Sequence, residues 1–255
     1  MFKKTLALLA LFLVASVPAL AQTPVPNKVY INGIDRAFPP FASVGPDGKP
    51  TGFDVDAMDW IAREFGFQVT HQPMEWAGIV DSLKGGKIDM IASGLSVTEQ
   101  RATQINFSNP YWTIKQVIVG PADSKLTAEE ALATGLKIGV QAGTSDAKAM
   151  AETNGLAGRK YELVEYPDSA LAAQDVANLR ISVAVMNDAP AAVAVKNLGL
   201  KIIGSAGIPD ETFAVGVNKN DENTLKMVNE GLAKLMADPY WQELIKKYNP
   251  GGVAE

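Results

Sequence analysis

The chain has 255 residues, of which 47% are hydrophobic and 20% charged, with a formal net charge of −5 at pH 7, a single histidine and no cysteine. Mild acidity with both signs interspersed argues against a nucleic-acid partner. The missing cysteine excludes disulfides, metal–thiolate sites, a Cys nucleophile and a lipid-modified Cys at a mature N-terminus, so stability must come from burial, for which about 230 mature residues suffice.

The first 21 residues read as a secretory signal peptide: Lys3 and Lys4 precede an apolar run from Leu6 to Ala15, and Ala19-Leu20-Ala21 has the small-x-small form of a cleavage site. Cleavage is expected after Ala21. The apolar run is well short of the roughly 20 residues that span a bilayer, and no later stretch is long and apolar enough. An exported, unanchored chain fits a periplasm.

From Asn27 onward, short apolar runs alternate with amphipathic stretches. "KVYING" reads as a strand; "VDAMDWIAREFGF" reads as a helix capped by Asp54, with Met58, Ile61 and Phe65 three and four apart and Gly66 at its end. The strand "FQVTHQ", the short helix "AGIVDSLKGG" and the buried strand "IDMIAS" complete a β-α-β-α-β pattern. That order implies a mainly parallel sheet with helices on both faces and ligands outside the carboxyl ends of the strands. After "TIKQVIVG" the alternation restarts, with a Thr127/Glu130 capping box before "AEEALA", the strand "LKIGVQ", a helix from about Ser145, and further strands at "YELVEY", "VAVMN" and "LKIIG". Two helices, "DENTLKMVNEGLAKLMAD" and "PYWQELIKKY", close the chain, and the pattern fits them to either lobe. No low-complexity linker is present, so the lobes are expected to join through short strands near residues 113–118 and 209–215.

Catalytic constellations find little support. His71 is the only histidine and sits mid-strand, which reads as structural and leaves no multi-histidine metal site. "KGGK" and "VQAGTS" lack the spacing of a phosphate loop. Asp54 and Asp56 are explained by a helix start. The informative residues lie at strand ends: Asp35 and Phe38 after the first strand, Trp76 after the second, then Ser93, Gly94 and Arg101. Together they offer an acid, aromatic faces, hydroxyl and backbone donors and a guanidinium, an inventory for a small zwitterion. Core packing also accounts for Trp76 and Phe38. "GLSVTEQR" poses its own question, because Thr98 and Glu99 mark a helix start while Arg101 places a cation near N–H groups that repel it. An anion is missing.

The successive stretches "GIDRAFPPF", "GKPTGFDVDAMDWIAREFG", "SLKGGKIDMIASGLSVTEQR", "INFSNPYW", "IGVQAGTS" and "VMNDAP" resemble the signatures of polar amino-acid solute-binding proteins that serve ABC importers. The resemblance runs in order from residue 28 to 250. It implies an α/β, two-lobed periplasmic binding protein (type II) fold, with residues 27–113 and 214–255 in lobe 1 and 114–213 in lobe 2. It also implies that Arg101 clamps a ligand carboxylate, assisted by the N–H of Ser96 and by Gly143, Thr144 and Ser145 across the cleft. Ser93 and Gly94 would face the ammonium, with Asp188 as its charged partner. A one-residue slip would put Asn187 in that place; Asp188 is preferred, since a buried ammonium calls for a carboxylate, and its replacement by Asn is expected to cost about 2 to 5 kcal/mol in binding.

Asp35, Phe38, Trp76, Gln141 and Asp146 remain to select the side chain. Two acids favour a cationic ligand such as arginine, lysine or histidine, with cation–π help; Gln141 also fits neutral amides, and a first-turn position on a helix accounts for Asp146 by itself. The expected protein is a monomer without cofactor or metal, handing an amino acid to a permease in the inner membrane. Dehydratases of cyclohexadienyl acids share the resemblance but carry a glutamate three residues after the strand-end acid, where this chain has Ala191. Presentation of the ligand to a membrane sensor is the other alternative.

Overall fold

The computed structural model describes residues 28–249, so the signal peptide and its cleavage site lie outside the described residues. The first strand, Val29–Asp35, pairs in parallel with Gln68–Met74 along its whole length, from Val29 opposite Gln68 to Asp35 opposite Met74. Between them runs the helix Phe53–Phe65, stopped by Gly66 in the left-handed conformation with its N–H on the Ala62 carbonyl. This is the C-terminal stop that its sequence announces.

Two five-stranded sheets form the frame. In strand order the first holds Gln68–Met74, Val29–Asp35, Met90–Ile91, Gly216–Asn218 and Ile105–Phe107. The second holds Tyr161–Tyr166, Leu136–Gln141, Val183–Asn187, Gln116–Pro121 and Leu200–Ser205. Each sheet is parallel except for one reversed strand, Gly216–Asn218 in the first and Gln116–Pro121 in the second. Both reversed strands are the first chain to enter their sheet after crossing from the other. The crossing occurs where the parallel strands end, so an incoming strand has to run against them. That edge is also where ligands bind in open α/β sheets.

The crossings are the strands Trp112–Ile114 and Glu211–Phe213, paired antiparallel with Phe213 opposite Trp112 and Glu211 opposite Ile114. The stretches "TIKQVIVG" and "TFAVGVNK" therefore each break in two, because the chain changes sheets within them.

Both faces of each sheet are covered by apolar side chains. The C-terminal helices Glu222–Ala237 and Pro239–Tyr248, which the apolar pattern left unplaced, pack on the first sheet's side. Val228, Leu232, Leu235, Trp241 and Leu244 share a core with Met58 and Ile61 of the helix Phe53–Phe65. The predicted capping box is present in both directions between Thr127 and Glu130, at the start of Ala128–Ala133. His71 is held by Asn32 (3.0 Å) and Asp59 (3.2 Å) and serves the scaffold.

The helix that opens at Thr98 is a single turn, Glu99–Ala102, which corrects the premise about Arg101. A dipole needs several aligned peptides, so this turn repels a cation little. What sets the side chain apart is its burial.

Candidate functional site

The carboxyl ends of the two sheets face each other across a cleft of about 260 Å³. The first sheet contributes Asp35 at a strand end, Phe38, Trp76 from the loop before the helix Ile79–Lys84, and Ser93, Gly94, Ser96 and Arg101 after Met90–Ile91. The second contributes Gln141 at a strand end, then Thr144, Ser145 and Asp146, and Asn187. Of the residues expected at the site from the sequence, all but Gly143 and Asp188 line this one cleft.

Asp188 is not among its lining residues. It opens the helix Asp188–Leu198, where its N–H donates to the Lys115 carbonyl and its Oδ1 accepts the Ala189 N–H. Asn187, the last residue of the strand, lines the cleft instead. The motif gave no length cue to choose between them.

Arg101 is 9% exposed, and its guanidinium touches only backbone carbonyls: Nη1 donates to Ser96 (3.0 Å) and Nη2 to Gly143 across the cleft (3.2 Å). Among the described residues no acid forms an ion pair with it. Burial pushes its pKa down, and the fields of Glu211 and Asp146 offset only part of that. Its carbon Cζ lies 5.6 Å from the Trp76 ring centroid, a cation–π contact. The Trp76 Nε1–H is the one buried side-chain polar atom without a partner among the described residues.

Backbone donors surround the guanidinium. Val97 N–H donates to Thr212 and Ala214 N–H to Leu95, so Ser96 occupies a non-hydrogen-bonded position opposite Phe213. Its own N–H and C=O therefore turn away from that strand. Thr144 caps the helix Ser145–Thr153, accepting the Ala147 N–H while donating to the Gln141 carbonyl (2.7 Å). The first-turn N–H groups of that nine-residue helix face the same cleft as Arg101.

The N-cap of the helix Phe53–Phe65 is Gly52, with no side-chain cap bond, so Asp54 lies in the first turn and is not the cap that the sequence predicts. Its Oδ2 accepts the Gly94 N–H (2.6 Å) and the Tyr111 hydroxyl (2.8 Å) while fully buried, and burial pushes its pKa up to about 7. It thereby fixes Gly94, which sits at φ +61° with Phe38 Cε1 2.5 Å from where a Cβ would stand, so only glycine fits. Across the cleft, Gln141 Nε2 donates to Asp35 Oδ2 (2.6 Å), while Ser93 Oγ accepts the Asp35 N–H (2.9 Å). The Gln141–Asp35 hydrogen bond and that of Arg101 to Gly143 both bridge the cleft. Burial raises the pKa of Asp35, and it pushes that of Asp146 to about 6.

Glu211 was not singled out from the sequence. It lies on a crossing strand, where it accepts from Ser145 Oγ (2.7 Å) and Gln116 Nε2 (3.3 Å). A lone acid in "IPDETFAVG" carries no local signal of that role.

The raised acids make stability depend on pH. Asp54 and Asp146, at about 7 and about 6, stay protonated in the folded chain where the unfolded chain has released its protons, from the ordinary 3.8 upward. Folded-state stability is therefore expected to fall by several kcal/mol between about pH 4 and pH 7, and then to level off. Thermal melts of the ligand-free protein across this range should show the decline, and Asp54→Asn should flatten it.

Comparison with known proteins agrees with this architecture. Residues 30–251 match the family described as Bacterial extracellular solute-binding proteins, family 3. A probable histidine-binding protein of Neisseria gonorrhoeae is 29% identical over 233 residues, covering 90% of this chain and 86% of that one. The L-cystine-binding protein TcyJ of Escherichia coli (strain K12) is 30% identical over 256 residues, covering 95% and 93%. Among solved structures, an ancestral arginine-binding protein bound to arginine superposes with a TM-score of 0.79 at 30% identity, covering 86% of this chain and 97% of that one.

Proposed function

Since the chain belongs to the family 3 bacterial extracellular solute-binding proteins, we propose that it holds one polar, preferably basic, L-amino acid between its lobes and delivers it to an ABC importer permease. The observation that carries this reading is Arg101, a buried guanidinium in a cleft with no acid paired to it among the described residues. A buried charge left so is costly unless an anion joins it. The ligand's α-carboxylate takes that place, with two parallel bonds from the guanidinium and further ones from the N–H groups of Ser96, Thr144 and Ser145. Ser93, the Gly94 carbonyl and Asp188, the acid that opens the helix after the strand Val183–Asn187, receive the ammonium. The side chain lies between Phe38 and Trp76, toward Asp35, Gln141 and Asp146.

Residues 27–113 with 214–255 form one lobe in this reading and 114–213 the other. The crossing strands act as the hinge, and the closed shape is what the permease recognises. The protein works as a monomer in the periplasm, after removal of residues 1–21. It is a binding protein, not an enzyme. Ala191 is buried in an apolar cluster of the second lobe, and counting from Asn187 instead gives Pro190, so neither register supplies the acid of a dehydratase.

A thermal-shift screen of the L-amino acids tests the proposal. The cognate ligand at 100 times its Kd is expected to add about 2.7 kcal/mol of stability. No shift with any amino acid would overturn the reading. With the cognate ligand, Asp188→Asn is expected to weaken binding by about 2 to 5 kcal/mol when measured by calorimetry, because the ammonium loses its charged partner.

A further inference from the structure

Asn32 is fully buried on the first strand, where its amide continues a sheet that the backbone leaves off. Backbone pairing between that strand and Met90–Ile91 is confined to Asn32 opposite Met90. Two residues further on, Asn32 Oδ1 accepts the Ala92 N–H (2.7 Å) and Nδ2 donates to the Ala92 carbonyl (3.2 Å). One side-chain amide thus satisfies both backbone groups of Ala92, as a neighbouring peptide would. Ser93 and Gly94, which line the cleft, follow directly.

The amide serves Ala92 in one orientation only. The Ala92 N–H needs an acceptor, so Oδ1 faces it, and Nδ2 keeps a second N–H for Nδ1 of His71 (3.0 Å). That ring nitrogen must then be bare, which puts the proton of the neutral imidazole on Nε2, 3.2 Å from Asp59 Oδ1. His71 stands directly opposite Asn32 on the paired strand, with a side chain 7% exposed. Asn32 of the first strand and Asp59 of the helix Phe53–Phe65 are its polar partners, and the third neighbour of its strand, Pro50–Thr51, carries no charge.

A second proton on the ring would set an N–H at Nδ1 against the Asn32 NH2. Turning the amide over does not relieve this, because its NH2 would then meet the Ala92 N–H and its oxygen the Ala92 carbonyl. Burial keeps water from mending either arrangement. We propose that His71 is a positioning residue: its neutral Nε2–H form holds the Asn32 amide so that Ala92 and the adjoining Ser93–Gly94 keep their binding geometry, and its second protonation weakens ligand binding. Imidazoles as a class change charge in the mildly acidic range, so affinity falls there as the pH drops. The coupling rests on the cleft being an amino-acid site; the position of the ring proton does not.

The ring proton is tested without any ligand. His71 is the sole histidine, so nitrogen-correlated NMR of the untagged protein reads one imidazole. At pH 8 the proton is expected on Nε2, and a proton on Nδ1 would overturn the proposal whatever the cleft binds. The coupling is tested by calorimetry from pH 8 to pH 5 on the wild type and His71→Gln, with ligand-free melts to check folding. L-arginine, L-lysine and L-glutamine are the probes, since their side chains do not titrate in that range. The glutamine of His71→Gln gives its oxygen to Asn32 and its NH2 to Asp59 at every pH. Asp54 and Asp146 titrate alike in both proteins, so a difference between the two profiles belongs to the imidazole. At pH 8 the two proteins are expected to bind the best of the probes within about threefold of each other; at pH 5 the wild type is expected to bind about fivefold or more weakly than the variant. Superimposable profiles, or a folded variant that has lost binding at every pH, would overturn the proposal. Should His71→Gln not fold, the wild type decides: a saturating probe must move the imidazole titration to lower pH, the reciprocal of the same coupling, and an unmoved titration would overturn it. A wild type that binds none of the three would overturn the coupling together with the polar, basic reading of the cleft.

Discussion

Arg101→Ala is expected to weaken binding of the cognate amino acid by about 2 to 5 kcal/mol, a loss of some thirtyfold to several thousandfold in Kd. The guanidinium is the only cation lining the cleft, and it is held by Ser96 and Gly143 with its remaining N–H donors free for a carboxylate. Removing it leaves a ligand carboxylate desolvated against neutral donors. Arg101→Lys is expected to fall on the same side, since one ammonium cannot hold two carbonyls in place and also give two parallel bonds to a carboxylate. The ligand-free melting temperature should hold or rise in Arg101→Ala, because an uncompensated buried charge is lost. Calorimetry paired with melting curves checks both halves. A variant that loses stability and affinity together would mean that Arg101 holds the fold and not the ligand.

Phe53→Ala is expected to produce the largest loss of stability, about 3 to 5 kcal/mol, or on the order of 10 °C in Tm. Phe53 is fully buried at the first turn of its helix. Its ring centroid lies 6.1 Å from Phe41, 5.8 Å from Trp112, 5.0 Å from Trp241 and 6.5 Å from Tyr248. It thereby joins the loop after the first strand, a crossing strand and the last helix. Deleting the ring removes one partner from four aromatic contacts, and rigid neighbours from three other segments collapse poorly into the gap. Circular dichroism melts measure the loss. Binding at low temperature should survive it, since Phe53 does not line the cleft.

Much of this protein was legible in its residues because the information is local. The spacing of Met58, Ile61 and Phe65 with Gly66 beyond them defines a helix whichever core it joins, and Thr127 with Glu130 starts another from four consecutive positions. The β-α-β order puts Asp35, Ser93 and Gln141 at strand ends, which is enough to bring them to one edge. Resemblance in the motifs then supplied the role of Arg101, which periodicity alone leaves open.

The tertiary structure decided whatever depends on partners distant in the chain. Asp35 meets Gln141 across 106 positions, Asp54 meets Gly94 across 40, and Gln116 meets Glu211 across 95. No window of sequence contains both members of such a pair, so Asp54 read as a helix start and Glu211 as nothing. The C-terminal helices offered an apolar face that either lobe would bury equally well, and only packing against Met58 and Ile61 chose. Asn187 ends its strand and lines the cleft while Asp188 opens the next helix, a boundary that the hydrophobic pattern of "VAVMN" does not mark. Burial energies fix the periodicity of an element; which polar group ends in the cleft is fixed by where the strand stops.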